Sequence, residues 1–171
     1  PQKIKGFSDL ARQGLKLVLT HPQYSTTGHI VGRMADKARL TKQLEANVST
    51  RTRGGGAAAN AVSIGTADAA IVWNAVAHLR QDKLDVVPIE KGVELKKEVD
   101  AVTSATFGRI DMDYIRVTIA TLNASKNLQT ARDLAEFVTS KENRKVWDSY
   151  GFSPVDESRP HPAVQSLKPM S

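Results

Sequence analysis

Three short stretches of this 171-residue chain carry residue types suited to holding an anion. In the first, Thr20 to Gly28, an apolar run ends at His21-Pro22 and passes through Ser25-Thr26-Thr27-Gly28 into a helical pattern. In the second, Arg51 to Ala57, the triplet Gly54-Gly55-Gly56 leads a helix, with Arg51 and Arg53 just before it. The third is Trp73-Asn74, directly after the apolar run that begins at Ala69. Each is a junction between a predicted strand and a predicted helix. A helix N-terminus presents N–H groups without intrahelical partners and the positive end of the macrodipole, which suits a negatively charged oxygen. Each junction also has a plain structural reading. Ser-Thr-Thr is an ordinary capping cluster. The glycine triplet makes a turn and lacks the spacing of a dinucleotide fingerprint or a P-loop lysine. A Trp at a strand end packs, and paired surface arginines are usually solvated. Three such signals at topologically equivalent places point to an anion or small polar ligand. The candidate ligand residues are Thr26, Thr27, Gly28, Gly55, Gly56, Trp73 and Asn74.

Other chemistries lack their residues. Cysteine is absent, which excludes a disulfide scaffold, a thiolate zinc site and a cysteine nucleophile. Of the histidines at 21, 29, 78 and 161, none forms the i,i+4 pair beside a glutamate that a metalloprotease helix needs. There is no Gly-x-Ser-x-Gly elbow. Asp111 and Asp113 are interleaved with Met112 and Tyr114, and no second acidic cluster follows them, so they read as turn or edge residues. The chain is therefore read as a binder and not an enzyme, with no cofactor and no metal. The net charge of +6 favours anionic partners, but the basic residues are scattered. Aromatics make up only 5% and do not interleave with a basic stripe, which argues against nucleic acid. No apolar run approaches the roughly 18 residues of a membrane span. The chain begins with Pro1, and no signal-peptide pattern precedes the first helix signal, which points to a processed or trimmed chain.

The elements that would position the three junctions follow from periodicity. Ser8 with Asp9 behind it reads as a helix cap, stopped by Gly14. Leu15 to Leu19 has strand length, and Ile30, Val31, Met34, Ala35 and Ala38 recur at helical spacing. A short helix is expected from Thr41 to Ala46, a strand from Val48 to Thr52, and an Ala-rich helix after the glycine triplet, closed by Gly65. Ala69 to Trp73 reads as a buried strand, Asn74 to Leu79 as a helix and Leu84 to Ile89 as a fourth strand. Strands alternating with helices imply an α/β fold with a doubly wound, mainly parallel sheet covered on both faces. Ligands of such sheets sit outside the carboxyl ends of the strands. Beyond Pro88 the charged stretch Glu90 to Val99 reads as a surface loop, and Ile115 to Leu122 as a β-branched strand. Two helices follow, capped by Asn127 and Ser140, the second carrying Val146, Trp147 and Tyr150 and ending at Gly151. Past Pro154 the composition is that of a surface tail.

Five stretches then resemble a known family when taken in order. They are Asp9-Leu10-Ala11-Arg12-Gln13-Gly14-Leu15-Lys16, His21-Pro22 to Thr27-Gly28, Arg51-Thr52-Arg53-Gly54-Gly55-Gly56, Ala67-Asp68-Ala69-Ala70-Ile71-Val72-Trp73, and Phe137-Val138-x-Ser140 to Tyr150-Gly151-Phe152. Over residues 6 to 154 their succession resembles the periplasmic molybdate-binding proteins of ABC importers. The resemblance implies two α/β lobes closing on tetrahedral molybdate or tungstate, held by neutral hydrogen-bond donors. It makes residues 1–113 the second, ligand-binding lobe, 114–154 a return segment that helps complete the first lobe, and 155–171 a surface tail. It also implies that the N-terminal lobe, with its two anion-binding serines, is missing from these residues. The implied donors are the Thr27 and Gly55 backbone N–H groups. Trp73 stands where the family has a tyrosine hydroxyl, and its indole N–H reaches differently. Sulfate, phosphate and organic anions stay open for that reason.

The implied partners are a small oxyanion, an ABC permease and a companion carrying the first lobe, in the periplasm. An unpaired strand at 115–121 invites either that companion or a second copy of the chain. The alternative is the effector-sensing domain of a transcriptional regulator, which shares this fold; a DNA-binding helix-turn-helix upstream would decide for it.

Overall fold

The computed structural model describes residues 3–96, 99–104, 108–112 and 115–155. The chain divides into two compact units, Pro1–Asp113 and Tyr114–Ser171.

The first unit is organised on β1 (Leu17–Thr20), whose four residues are all buried. Helices α1 (Thr26–Ala38) and α2 (Thr41–Asn47) return the chain to β2 (Val48–Thr52). Helix α3 (Gly55–Ser63) then leads to the two-residue β3 (Ala69–Ala70), followed by α4 (Asn74–His78). The sheet order is β2-β1-β3, and both pairings are parallel. Alternation along β1 divides its side chains between two layers. Leu17 and Leu19 join Phe7, Leu10, Val31, Met34 and Leu44. Val18 packs instead with Ala58 of α3 and Ala67. Helices on both faces explain why β1 is apolar without polar alternation. The architecture is the expected α/β lobe with a parallel sheet.

Several local expectations are refined. Ser8 begins a 3-10 turn, Ser8–Ala11, with Phe7 at the N-cap, and its hydroxyl donates to Glu90 Oε1 at 2.6 Å. Gly14 does turn the chain, with φ +87°. β1 starts at Leu17 rather than Leu15. α2 is anchored by the buried Asn47 amide, which donates to the Leu10 and Arg12 carbonyls at 2.8 and 2.6 Å. Gly65 follows α3 with φ +76°.

Two predicted strands do not form. Residues 84–89 are irregular and Val86 is 58% exposed. A fourth strand following β3 in order would find only two residues to pair with beside it. Pro88 removes a further donor. Residues 115–122 also form no strand, and Val117 and Leu122 stand 70% and 76% exposed. A β-branched run becomes a strand only beside a strand partner, and the described residues offer it none. An antiparallel hairpin, β4 (Ala101–Ser104) with β5 (Gly108–Asp111), was not anticipated. Asp111 is an edge residue, in β5, with Arg109 at 2.7 Å.

The stretch from Glu90 onward is more than a charged surface loop. The Glu90 carboxylate accepts the Phe7 N–H, and the Ser8 N–H at 2.8 Å. Burial alone would raise its pKa, but the Ser8 hydroxyl and the backbone donors hold it at about 2, below the ordinary 4.5. Val93 and Asp100 are buried. Asp100 accepts the Lys96 N–H at 2.8 Å and faces Lys37 at 3.2 Å and Arg33 at 3.8 Å. The Lys96 N–H lowers its pKa, and the two cations add to that against the opposing effect of burial.

The second unit contains α5 (Leu128–Thr139) and α6 (Arg144–Ser149). Asn127 stands at the N-cap of α5 without a side-chain capping bond. The cap position of α6 falls on Asn143 and not on Ser140, because Asn143 reaches back to the Phe137 carbonyl at 2.6 Å and to Ser140 Oγ at 3.2 Å. The Trp147 indole donates to the Val138 carbonyl at 2.8 Å, and its ring meets Phe152 edge-on at 5.2 Å. Gly151 turns the chain with φ +78°. Neither helix has a buried residue. The expected surface tail lies outside the described residues, apart from Val155.

Candidate functional site

Because β1, β2 and β3 run parallel, their carboxyl ends share one edge of the sheet, and the helix that follows each strand begins there. All seven expected residues lie at these three starts. Thr26 and Thr27 open α1, with Gly28 next; Gly55 and Gly56 open α3; Trp73 is the N-cap residue of α4 and Asn74 its first residue. The His21 N–H donates to the Thr52 carbonyl at 2.8 Å, which ties the first junction to the second. A Cβ built on Gly55 would meet Val72 Cγ1 at 3.5 Å and Val76 Cγ1 at 3.8 Å, so the start of α3 touches the segment that carries Trp73 and Asn74.

The donors at these starts are not equivalent. The Gly28 N–H is spent on the Ser25 carbonyl at 3.0 Å. What Gly28 contributes is close approach: a Cβ there would come within 2.7 Å of Pro22 Cα, Pro22 N and the Thr20 carbonyl oxygen, all backbone atoms. The Thr26 and Thr27 N–H groups have no acceptor among the described residues, and neither do those of Gly55, Gly56 and Ala57. Neither helix has a side-chain cap: Ser25 and Gly54 occupy the N-cap positions without a capping bond. Five backbone donors are therefore left at the starts of a 13-residue and a 9-residue helix. Trp73 is 41% exposed, and α4, at five residues, is too short to add much dipole.

The arginines differ in the same way. Arg51 is held by Glu45, with Nη2 at 2.5 and 2.7 Å from the two carboxylate oxygens. Arg53 lies past the end of β2 and has no carboxylate partner among the described residues; its guanidinium sits over the Tyr24 ring, 4.6 Å from the centroid. Tyr24 in turn faces His21 at 5.3 Å between ring centroids. Neither Tyr24 nor His21 is among the seven expected residues, although His21-Pro22 marks the first junction. The signal that could have found them is their place in the same loop as Thr26 and Thr27.

A cavity of about 450 Å³ among α1, α2 and β4 borders the first two junctions through Pro22, Gly28 and Arg51, and of the seven expected residues only Gly28 lines it. Its charged groups are already matched: Arg51 with Glu45, Arg33 with Asp100, and Asp36 with the Thr41 hydroxyl at 2.6 Å. A site with mutually satisfied polar groups does not call for a ligand, whereas unspent N–H groups do. The carboxyl edge is the stronger candidate. Among the described residues no group of His, Asp and Glu side chains could hold a metal ion, and no helix is long and apolar enough to cross a membrane.

A parallel sheet wrapped on both faces, with helix starts gathered at one edge, defines a lobe of the periplasmic-binding-protein type. The chain belongs to the bacterial extracellular solute-binding protein family, whose model matches residues 1–153. No curated protein is similar to it in sequence. Among solved structures it is similar to PEB3 from Campylobacter jejuni, at 24% identity and a TM-score of 0.59, over 90% of this chain and 60% of that one. It is similar also to PEB3 bound to L-phospholactate, at 22% identity and a TM-score of 0.62, over 90% of this chain and 61% of that one. The chain thus spans about three fifths of the length of these structures.

Proposed function

We propose that this chain is the ligand-binding lobe of the solute-binding component of an ABC importer and that its solute is a small oxyanion, with molybdate or tungstate as the members the sequence resemblance implies. The observation that carries this reading is the set of five unspent backbone donors at the starts of α1 and α3 on one sheet edge. Desolvating an oxyanion is costly, and preorganised N–H donors offset that cost; hydrogen bonds to charged groups are worth about 1.5–3 kcal/mol each. Neutral donors suffice, with Arg53 raising the local potential. Residues 1–113 are read as the second lobe, and 114–154 as a return segment to a first lobe lying beyond these residues; the partial coverage of PEB3 supports this. Membership of an extracellular family supports periplasmic import over the regulator reading.

A second reading is a phosphorylated organic acid. The PEB3 structure with bound L-phospholactate favours it, as does Trp73, whose flat indole offers an apolar wall that a bare tetrahedral ion would not use. Calorimetric titration of the full-length protein with molybdate, tungstate, sulfate, phosphate and L-phospholactate separates the readings. Heat with molybdate or tungstate alone supports the first, heat with L-phospholactate alone the second, and silence with all five removes both. Gly55→Val should weaken whichever ligand binds by at least tenfold, since branched methyls would crowd Val72 and block backbone approach. Unchanged affinity would take the α3 start out of the site.

A further inference from the structure

At the end of β1, the Thr20 side chain is fully buried and its hydroxyl has no hydrogen-bond partner; it is the one such side-chain atom among the described residues. A buried hydroxyl left unpaired costs stability, and a native structure that keeps one needs a reason. Strand alternation locates it. Val18 faces α3, where it packs on Ala58, and Thr20, two residues on, faces the same way. Two residues of strand advance about 6.6 Å toward the carboxyl edge. Four residues of helix cover about 6 Å, so the same step along α3 leads from Ala58 back to Gly54. The Thr20 side chain thus lies beneath the first turn of α3, where the Gly55, Gly56 and Ala57 N–H groups are unspent. Positions 54, 55 and 56 are all glycine, so the first turn itself sets no side chain over Thr20.

We propose that the Thr20 hydroxyl is the side-chain donor at the floor of this anion site, turning its O–H to one oxygen of the ligand while the α3 N–H groups hold the others. This rests on the oxyanion reading above and adds a specificity residue to it. The chemistry it selects is a group with at least two acceptor oxygens on one centre, such as a molybdate, phosphoryl, sulfate or carboxylate group.

Two substitutions separate ligand binding from packing. Thr20→Val keeps the shape and removes the unpaired hydroxyl, so the ligand-free protein should melt at the same or a higher temperature. Its affinity for the anion that wild type binds best in the five-anion titration should fall about ten- to a hundredfold, the size of one charge-assisted hydrogen bond. Thr20→Ser keeps the donor and should stay within a few-fold of wild type. If wild type binds and Thr20→Val binds equally well, the assignment of Thr20 is overturned while the oxyanion reading stands. If Ser and Val lose affinity alike, the methyl and not the hydroxyl matters, and the assignment fails as well. If wild type binds none of the five anions, both readings fall together.

Discussion

Leu17, Leu19 and Leu44 in the first unit are at most 1% exposed, whereas Leu134, Phe137 and Val146 in the second stand 57%, 64% and 53% exposed. Both sets come from amphipathic or apolar patterns that look equally convincing in the sequence. The difference is what each pattern meets. In the first unit a central strand with helices on both faces gives the apolar side chains of β1, and of the helices that face it, partners to pack against. In the second, the Trp147 indole of α6 donates to the Val138 carbonyl of α5, and its ring meets Phe152, past the end of α6, edge-on. An amphipathic pattern states which face is apolar; a core forms only where a second apolar surface arrives.

The contrast can be broken most forcefully in the first core. Leu17→Ala should cost about 2–5 kcal/mol, since the side chain is fully buried at the centre of the sheet and its loss leaves a cavity. Denaturant unfolding followed by circular dichroism checks this, and a cost below 1 kcal/mol would mean the core is far looser than its burial indicates.

A smaller effect is expected where a loop is clasped onto that core. Glu90→Gln should cost about 1.5–3 kcal/mol at neutral pH by weakening the charge-assisted bonds to Phe7 and Ser8. The Glu90 carboxyl titrates at about 2 when folded against 4.5 ordinarily. A depressed folded value gives stability that is complete above about 4.5 and lost as the pH falls toward 2. Asp100, also lowered, acts in the same direction. Wild type should therefore lose stability across that window, and Glu90→Gln should show a shallower slope. Identical slopes would mean that Glu90 is not clasped in solution.

The smallest effect belongs to the second unit. Leu134→Ser should change stability by no more than about 0.5 kcal/mol, since the side chain is exposed. A loss comparable to that of Leu17→Ala would show that the α5 face is covered by a partner in solution, and would erase the contrast.

Much of the site was legible because helix starts are encoded locally. Val48–Thr52 is the strand the alternation indicates, and the glycine triplet opens α3 as its composition requires. The three junctions could be placed at one edge from the βα alternation alone, since parallel strands need such crossovers. What was not legible depended on partners distant in the chain. The strand expected at Leu84 had only the two residues of β3 beside it in order, and the β-branched run at 115–122 pairs with no strand among the described residues. Glu90 read as a loop charge because its partners, Phe7 and Ser8, lie more than 80 residues away.

By itself the sequence determined that this is an α/β lobe whose helices start at one edge of a parallel sheet, because periodicity, capping residues and glycines act within a turn or two of the chain. Tertiary structure alone decided which donors remain available there. It spent the Gly28 N–H on Ser25, paired Arg51 with Glu45, stacked Arg53 on Tyr24 and left the Thr20 hydroxyl buried without a partner. Those outcomes follow from which groups meet across the fold, and hydrogen bonds between distant residues leave no trace in local spacing.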